Sequence, residues 1–237
     1  MKLTLKNNFA LVASAIALLS APALPAQVLN FGVDLNTAAL NTQDSANAPF
    51  YLDFQLNYGD STNPTSTVTL SNFQFTGGSA LGSPTTTGTA SGNLTSSVLL
   101  TASSISQLNE LYQPFASSTT DIKFTASVTE TGSGVTPTEF TTAILDSSLN
   151  PPAQLFTTAP DTASLVVLNL KPSNTYTNVG AYTSLTSADA NTVVTGVAAT
   201  ITPVPEPSTT AAIVGCAVTI FACYARRFRK LPKLQTI

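Results

Sequence analysis

The sequence predicts an all-β fold, an antiparallel β-sandwich of jelly-roll-like form, and three observations carry that expectation. Apolar and polar residues alternate with period two at three separate places. The alternating stretches are short and divided by clusters of Gly, Pro, Asn and Ser. Ser and Thr supply most of the polarity, while charged residues make up only 9% of the 237 positions. Alternation is what a strand with one buried face requires, because successive side chains point to opposite faces. Thr suits a pleated surface because it is branched at Cβ, and hydroxyls keep a surface wet without charge.

The clearest strand is Leu29-Phe31-Val33-Leu35, apolar on one face, with Asn30, Gly32 and Asp34 on the other. Phe50-Leu52-Phe54-Leu56 repeats the pattern against Tyr51, Asp53, Gln55 and Asn57, and Ile122-Phe124-Ala126-Val128 repeats it against Asp121, Lys123, Thr125, Ser127 and Thr129. Less regular candidates are 67–75, 93–100, 140–145 and 164–170; the last is nearly all apolar, as a central or doubly covered strand would be. Seven or eight such strands divided by turn residues point to the sandwich. Ile105, Leu108, Leu111 and Tyr112 have helical spacing and predict one or two turns capping an open end, stopped by Pro114. Asn150-Pro151-Pro152 predicts a loop, and 173–203, which loses its aromatics after Tyr182, predicts a Ser/Thr-rich, partly disordered stalk. The sandwich is thus expected to occupy 27–172.

Charge is segregated along the chain. Between Val28 and Pro203 eleven acids face only Lys123 and Lys171, a net charge of −9, and the other basic residues sit near the two ends. So acidic a segment is a poor nucleic-acid binder, because attraction to phosphate needs Lys and Arg. There is no histidine, and both cysteines, Cys216 and Cys223, lie near the C-terminus. That removes a Ser-His-Asp triad, a Cys-His pair and a conventional zinc site from the sandwich. No Gly-rich phosphate loop with a Lys appears.

The ends carry addressing signals. A polar start with Lys2 and Lys6 precedes eleven apolar residues, 9–19, and then small residues and prolines. That order predicts a secretory signal peptide over 1–26, cleaved after Ala23 or Ala26 and handled by the Sec export machinery; eleven apolar residues are too few to span a bilayer. At the other end Pro205-Glu206-Pro207 precedes an apolar run, 209–225, and then Arg226, Arg227, Arg229 and Lys230. Seventeen helical residues span about 25 Å, enough for a short transmembrane helix. The basic cluster should stay inside as a stop-transfer signal, with 231–237 as a cytoplasmic tail and the sandwich outside. The two prolines fix φ and keep the helix from extending backwards, while Glu206 resists entering the bilayer.

The motif, the apolar helix and the Arg-rich end, 204–230, together resemble the PEP-CTERM sorting signal of bacterial surface proteins. The resemblance implies processing near Pro205-Glu206-Pro207 by an exosortase-like membrane protease, and an extracellular polysaccharide matrix as the setting. Phe50-Tyr51-Leu52-Asp53-Phe54-Gln55-Leu56 followed by Val68-Thr69-Leu70-Ser71-Asn72-Phe73 is also similar to a subgroup of that family with an uncharacterised β-rich ectodomain.

Few residues outside the ends suggest chemistry. Tryptophan is absent, but Tyr51, Tyr58, Tyr112, Tyr176 and Tyr182 could stack on sugars. Paired carboxylates could cleave a glycoside; Asp53 with Asp60 and Glu130 with Glu139 are such pairs, and solvated charge explains them equally. Asp60, Ser61 and Asn63 form a partial calcium loop that lacks a bidentate Glu, so a polar turn explains it as well, and no other cofactor is expected. Asn93-Leu94-Thr95 matches a glycosylation triplet that chance also supplies in an Asn- and Thr-rich chain. The leading expectation is a non-enzymatic cell-surface or matrix protein of structural or adhesive role. A carbohydrate-binding module comes second and a carboxylate glycosidase third.

Overall fold

In a computed structural model the chain is described over residues 28–59, 65–102, 108–131, 138–171 and 175–204. The segments expected to be a signal peptide (1–26) and a sorting signal with its apolar run and basic cluster (204–230) lie outside the described residues but for Val204. Among those that are described, no helix is long and apolar enough to cross a membrane.

The elements run β1 (Leu29–Asn36), α1 (Ala38–Gln43), β2 (Phe50–Asn57), β3 (Thr65–Thr76), β4 (Thr85–Thr87), β5 (Ser91–Gly92), β6 (Val98–Ala102), β7 (Leu108–Phe115) and β8 (Asp121–Thr131). They continue with β9 (Thr138–Asp146), β10 (Ala153–Gln154), β11 (Phe156–Thr157), β12 (Val166–Lys171), β13 (Thr175–Ala181), β14 (Ser184–Thr186) and β15 (Ala198–Val204). The first sheet has the order β15-β1-β8-β3-β6-β5 and the second β13-β12-β9-β2-β7-β4, with β10 against the end of β9. All pairings are antiparallel, and the apolar faces of the two sheets share one core. This is the sandwich arrangement that alternation predicts.

The core centres on Phe54 of β2. Its ring meets Phe124 of β8 in the opposite sheet edge-on, with centroids 5.3 Å apart, and lies 6.0 Å from Phe73 and 6.4 Å from Phe140. Phe31, Phe54, Phe124 and Val128 are all buried, as their alternation requires. Phe73 reaches the core through a bulge. Three steps along β3, Ser71 to Gln74, match two along β8, and Asn72 takes a left-handed φ of 58° that its short polar side chain tolerates.

Three expectations need correction. Residues 108–112 are not helical; they open β7, in which Asn109, Leu111, Gln113 and Phe115 face inwards. Two of those four inward positions are polar, so no period-two apolar signal was visible. Each polar side chain anchors the segment that covers the sandwich edge. Asn109 accepts from the backbone and hydroxyl of Thr89, and Gln113 accepts from the Leu94 amide and donates to the carbonyls of Leu81 and Gly82.

Nor is 173–203 a stalk. β13 pairs with β12, and β15 pairs with β1 from Asn36↔Ala198 to Asn30↔Val204. Val197, Ala199 and Ile201 turn inwards, with Ala198 and the exposed Thr200 and Thr202 between and beyond them, a strand pattern too weakly apolar to stand out among the Ser and Thr. Lastly, Asp53 lies on the face opposite the core as expected, but it is fully buried there, because that face is itself partly covered.

Replacing Phe54 with Ala empties the meeting point of four rings and should cost about 3–5 kcal/mol. Urea unfolding of the full-length chain followed by near-ultraviolet circular dichroism measures it. A loss below about 1 kcal/mol would mean that the two sheets do not meet at this residue.

Candidate functional site

The outward face of the second sheet carries the densest chemistry. Alternation along β2 turns Tyr51, Asp53, Gln55 and Asn57 away from the core. Register then places Tyr112 of β7 opposite Asp53, Glu110 opposite Gln55, and Glu139 of β9 opposite Asn57. The Tyr51 and Tyr112 rings, half-buried, meet edge to face with centroids 5.8 Å apart.

Beside the rings runs a network of carboxylates and carboxamides. The Gln55 amide donates to Asp53 Oδ2 at 2.9 Å and to Glu110 Oε1 at 3.0 Å, and Gln154 of β10 donates to Asp53 Oδ2 at 2.9 Å. Ala143, opposite Asp53 on the intervening strand, has only a methyl group in the path of the Gln154 side chain. Asp53 Oδ1 is buried with no hydrogen-bond partner. Burial pushes the Asp53 carboxyl up to about 7, with the charge of Glu110 adding to it and the two amide donors opposing it.

On the same face a pocket of about 190 Å³ is lined by Glu139, Pro160, Asp161, Val167, Asn169 and Tyr182. Gly180 is essential to it: a Cβ there would lie 2.3 Å from Tyr182 Oη, so the missing side chain is what lets the ring lie across the strand. Asp161 is held in a turn by the amides of Ala163 and Ser164 and the Ser164 hydroxyl. Glu139 is half-buried, and burial together with the charge of Asp161 raises its carboxyl above the ordinary range.

The outward face of the first sheet has a shallower groove of about 480 Å³ around Gly32, Asn72, Lys123 and Thr200. Its cation is already compensated, since Lys123 pairs with Asp34 at 2.5 Å and Asp121 at 3.3 Å.

A further acidic contact sits at the end of the sandwich. Asp44 follows α1, and burial raises its carboxyl to about 6, with Asp146 and Asp189 nearby. Asp146 is satisfied by the amide and hydroxyl of Ser148 and by the Ala188 amide, whereas Asp44 Oδ2 has no partner. Asp146 thereby ties the turn at 187–189 to β9.

Of the residues singled out from sequence, Tyr51, Tyr112, Asp53, Glu139 and Tyr182 belong to this outward face. Asp60 and Asn63, the calcium candidates, lie outside the described residues, as do the side chains of Glu130 and Tyr176. Among the described residues the acidic neighbour of Asp53 is Glu110 and that of Glu139 is Asp161. Among the described residues no group of three His, Cys, Asp or Glu could hold a metal ion. Glu110, Gln154, Asp161 and Asn169 escaped the sequence reading because nothing local distinguishes them; strand register and the 155–165 segment bring them together. Comparison with family models, with curated proteins and with solved structures finds no match.

The raised carboxyls make stability depend on pH. Between about pH 4 and pH 7 folded Asp53 and Asp44 hold protons that the unfolded chain has released, so raising the pH favours unfolding. Stability should be greatest near pH 4, fall through 6 to 7, and level off above about pH 8, with Asp53 contributing on the order of 4 kcal/mol. Asp53→Asn, which mimics the protonated acid, should flatten most of that slope in urea titrations at several pH values. A wild-type chain whose stability rises between pH 5 and 7 would contradict the assignment.

Proposed function

We propose that this chain is an exported, non-enzymatic protein of the bacterial cell surface or extracellular matrix that holds polysaccharide on the outward face of its second sheet. The observation that carries the reading is the Tyr51–Tyr112 pair beside the polar side chains of Gln55 and Glu110. Sugars present apolar C–H faces rimmed by hydroxyls, and a site for them combines aromatic faces with fixed amide and carboxylate groups. Asn169, Glu139 and Tyr182 extend the same chemistry along the sheet.

In this reading residues 1–26 are the export leader, and Pro205 to Lys230 are a PEP-CTERM-type address processed by an exosortase-like protease. β15 ends at Val204 opposite Asn30, so both ends of the sandwich emerge together. Only Pro205 to Ser208 separate β15 from the apolar run, at most about 14 Å of extended chain. Before processing the sandwich would then stand directly on the membrane, with no stalk between.

A glycosidase is the second reading, favoured by two carboxylates, Glu139 and Asp161, lining one pocket. It ranks lower because both Asp161 oxygens are occupied by turn hydrogen bonds, which suits a structural acceptor better than a nucleophile or base. Release of reducing ends from a polysaccharide by the purified chain, lost in Glu139→Gln, would reverse that ranking.

Two experiments test the main reading. Tyr51→Ala and Tyr112→Ala should each weaken retention of the full-length chain on matrix polysaccharide by about tenfold or more, through loss of stacking area. Unchanged retention in both variants, or no retention of the wild type, sinks the binding face. Replacing Pro205, Glu206 and Pro207 with Ala should leave membrane insertion intact and accumulate the uncut form in a host with an exosortase. A mature protein that keeps 209–237 in hosts with and without the protease would make the tail an ordinary anchor.

A further inference from the structure

We infer that the polysaccharide is an amino-sugar polymer with free, protonated amines, and that the pocket between Glu139, Asp161 and Tyr182 seats one of its ammonium groups. This deepens the binding reading above and rests on it.

The pocket, about 190 Å³, has room for one small polar group and its immediate ring atoms. An ammonium presents three donors and no acceptor. Here it would meet two carboxylates, the Asn169 carbonyl oxygen and the face of the Tyr182 ring, which attracts cations through its quadrupole. Val167 and Pro160 supply apolar wall for the C–H face of the sugar. Among the described residues that line the pocket there is no Lys or Arg, and a bound cation would favour the charged form of Glu139 that burial and the charge of Asp161 disfavour.

The same sign of charge continues along the face. Glu139 stands opposite Asn57 and Leu145 stands opposite Tyr51, six positions further along β2 or about 20 Å. Between them lie Glu110, the Gln55 amide and the small side chains of Thr141 and Ala143, so a chain reaching from the pocket to the tyrosine pair passes acidic, amide and small uncharged groups. Lys123 is on the other sheet and already paired, and the backbone of Lys171 lies at the pocket end of β12, two residues past Asn169. A face with this charge repels uronate polymers, and its Glu139–Asp161 pair attracts an ammonium more strongly than the hydroxyls of a neutral glycan.

The test is titration of the detergent-purified full-length chain with three probes: a glucosamine hexamer at a pH where its amines are charged, an N-acetylglucosamine hexamer, and an oligouronate. The glucosamine hexamer should bind about tenfold or more tighter than its acetylated counterpart, and the oligouronate should not compete. Glu139→Gln and Asp161→Asn should each remove most of that preference, and Gly180→Ala, which displaces the Tyr182 ring, should weaken it. Asp34→Asn on the other sheet removes one negative charge, as Glu139→Gln and Asp161→Asn each do, and should leave the preference intact. A similar loss in Asp34→Asn would mean that overall charge selects the ligand and would overturn the pocket assignment. Equal affinity for both hexamers, with Glu139→Gln silent, overturns the inference but leaves the binding face standing. Binding of the oligouronate in preference overturns the inference as well. If none of the three probes binds, both the inference and the binding face fail.

Discussion

β2 is paired on both sides, by β7 and β9, and is covered over much of both faces. Such a strand cannot slip by one residue without exchanging Phe54 for Asp53 at the centre of the core. Because the side-chain period is two, the residues that seal the sandwich also fix the outward positions of Tyr51, Asp53 and Gln55. The core contact of Phe54 with Phe124 and the outward contact of Tyr51 with Tyr112 thus depend on one backbone register. Packing energy spent on the inner face positions the outer one.

Asp53 shows how the constraint works in the other direction. A carboxylate removed from water without a cation is costly, and the usual response is to bind a proton. The Gln55 and Gln154 amides offset part of that cost by donating to Oδ2, and in doing so they orient two carboxamides that a solvated surface would leave mobile. Gln55 at the same time reaches Glu110, so the rotamer of a half-exposed acid is tied to a buried one. The outward face is consequently more rigid than its polarity suggests, and a preorganised face loses less entropy when any ligand is held on it.

The parts of the fold that were legible in the sequence are those where burial is one-sided. β1, β2 and the 122–128 part of β8 alternate cleanly because their inward residues are apolar, and the rings of Phe31, Phe54 and Phe124 lie where that pattern puts them. β7 was unreadable because Asn109 and Gln113 occupy inward positions, a choice that makes sense only once Thr89, Leu81 and Leu94 are known to need their hydrogen bonds. β15 was hidden differently. Its inward residues are small, since it closes an edge rather than fills the centre, and Ser/Thr-rich composition reads as a stalk when the partner strand lies about 170 residues earlier in the chain. For the site, the tyrosines and Glu139 were visible as residue types, while Glu110, Asp161 and Asn169 acquire meaning only through register and the 155–165 segment.

The absence of histidine from the whole chain, and of cysteine from all but its C-terminal segment, narrows what such a face can do. Carboxyls, carboxamides, hydroxyls and phenol rings remain, and of these only the carboxyls change charge in the neutral range, when burial raises them as it raises Asp53 and Asp44. General acid chemistry would need such a carboxyl to touch substrate, yet Asp53 is sealed beneath its own amide donors and Asp44 is buried at the end of the sandwich. Glu139 is half-exposed in a pocket, but the acid beside it is committed to its own turn. What is left among the described residues is a set of fixed acceptors and ring faces, and these are the groups on which the binding proposal rests.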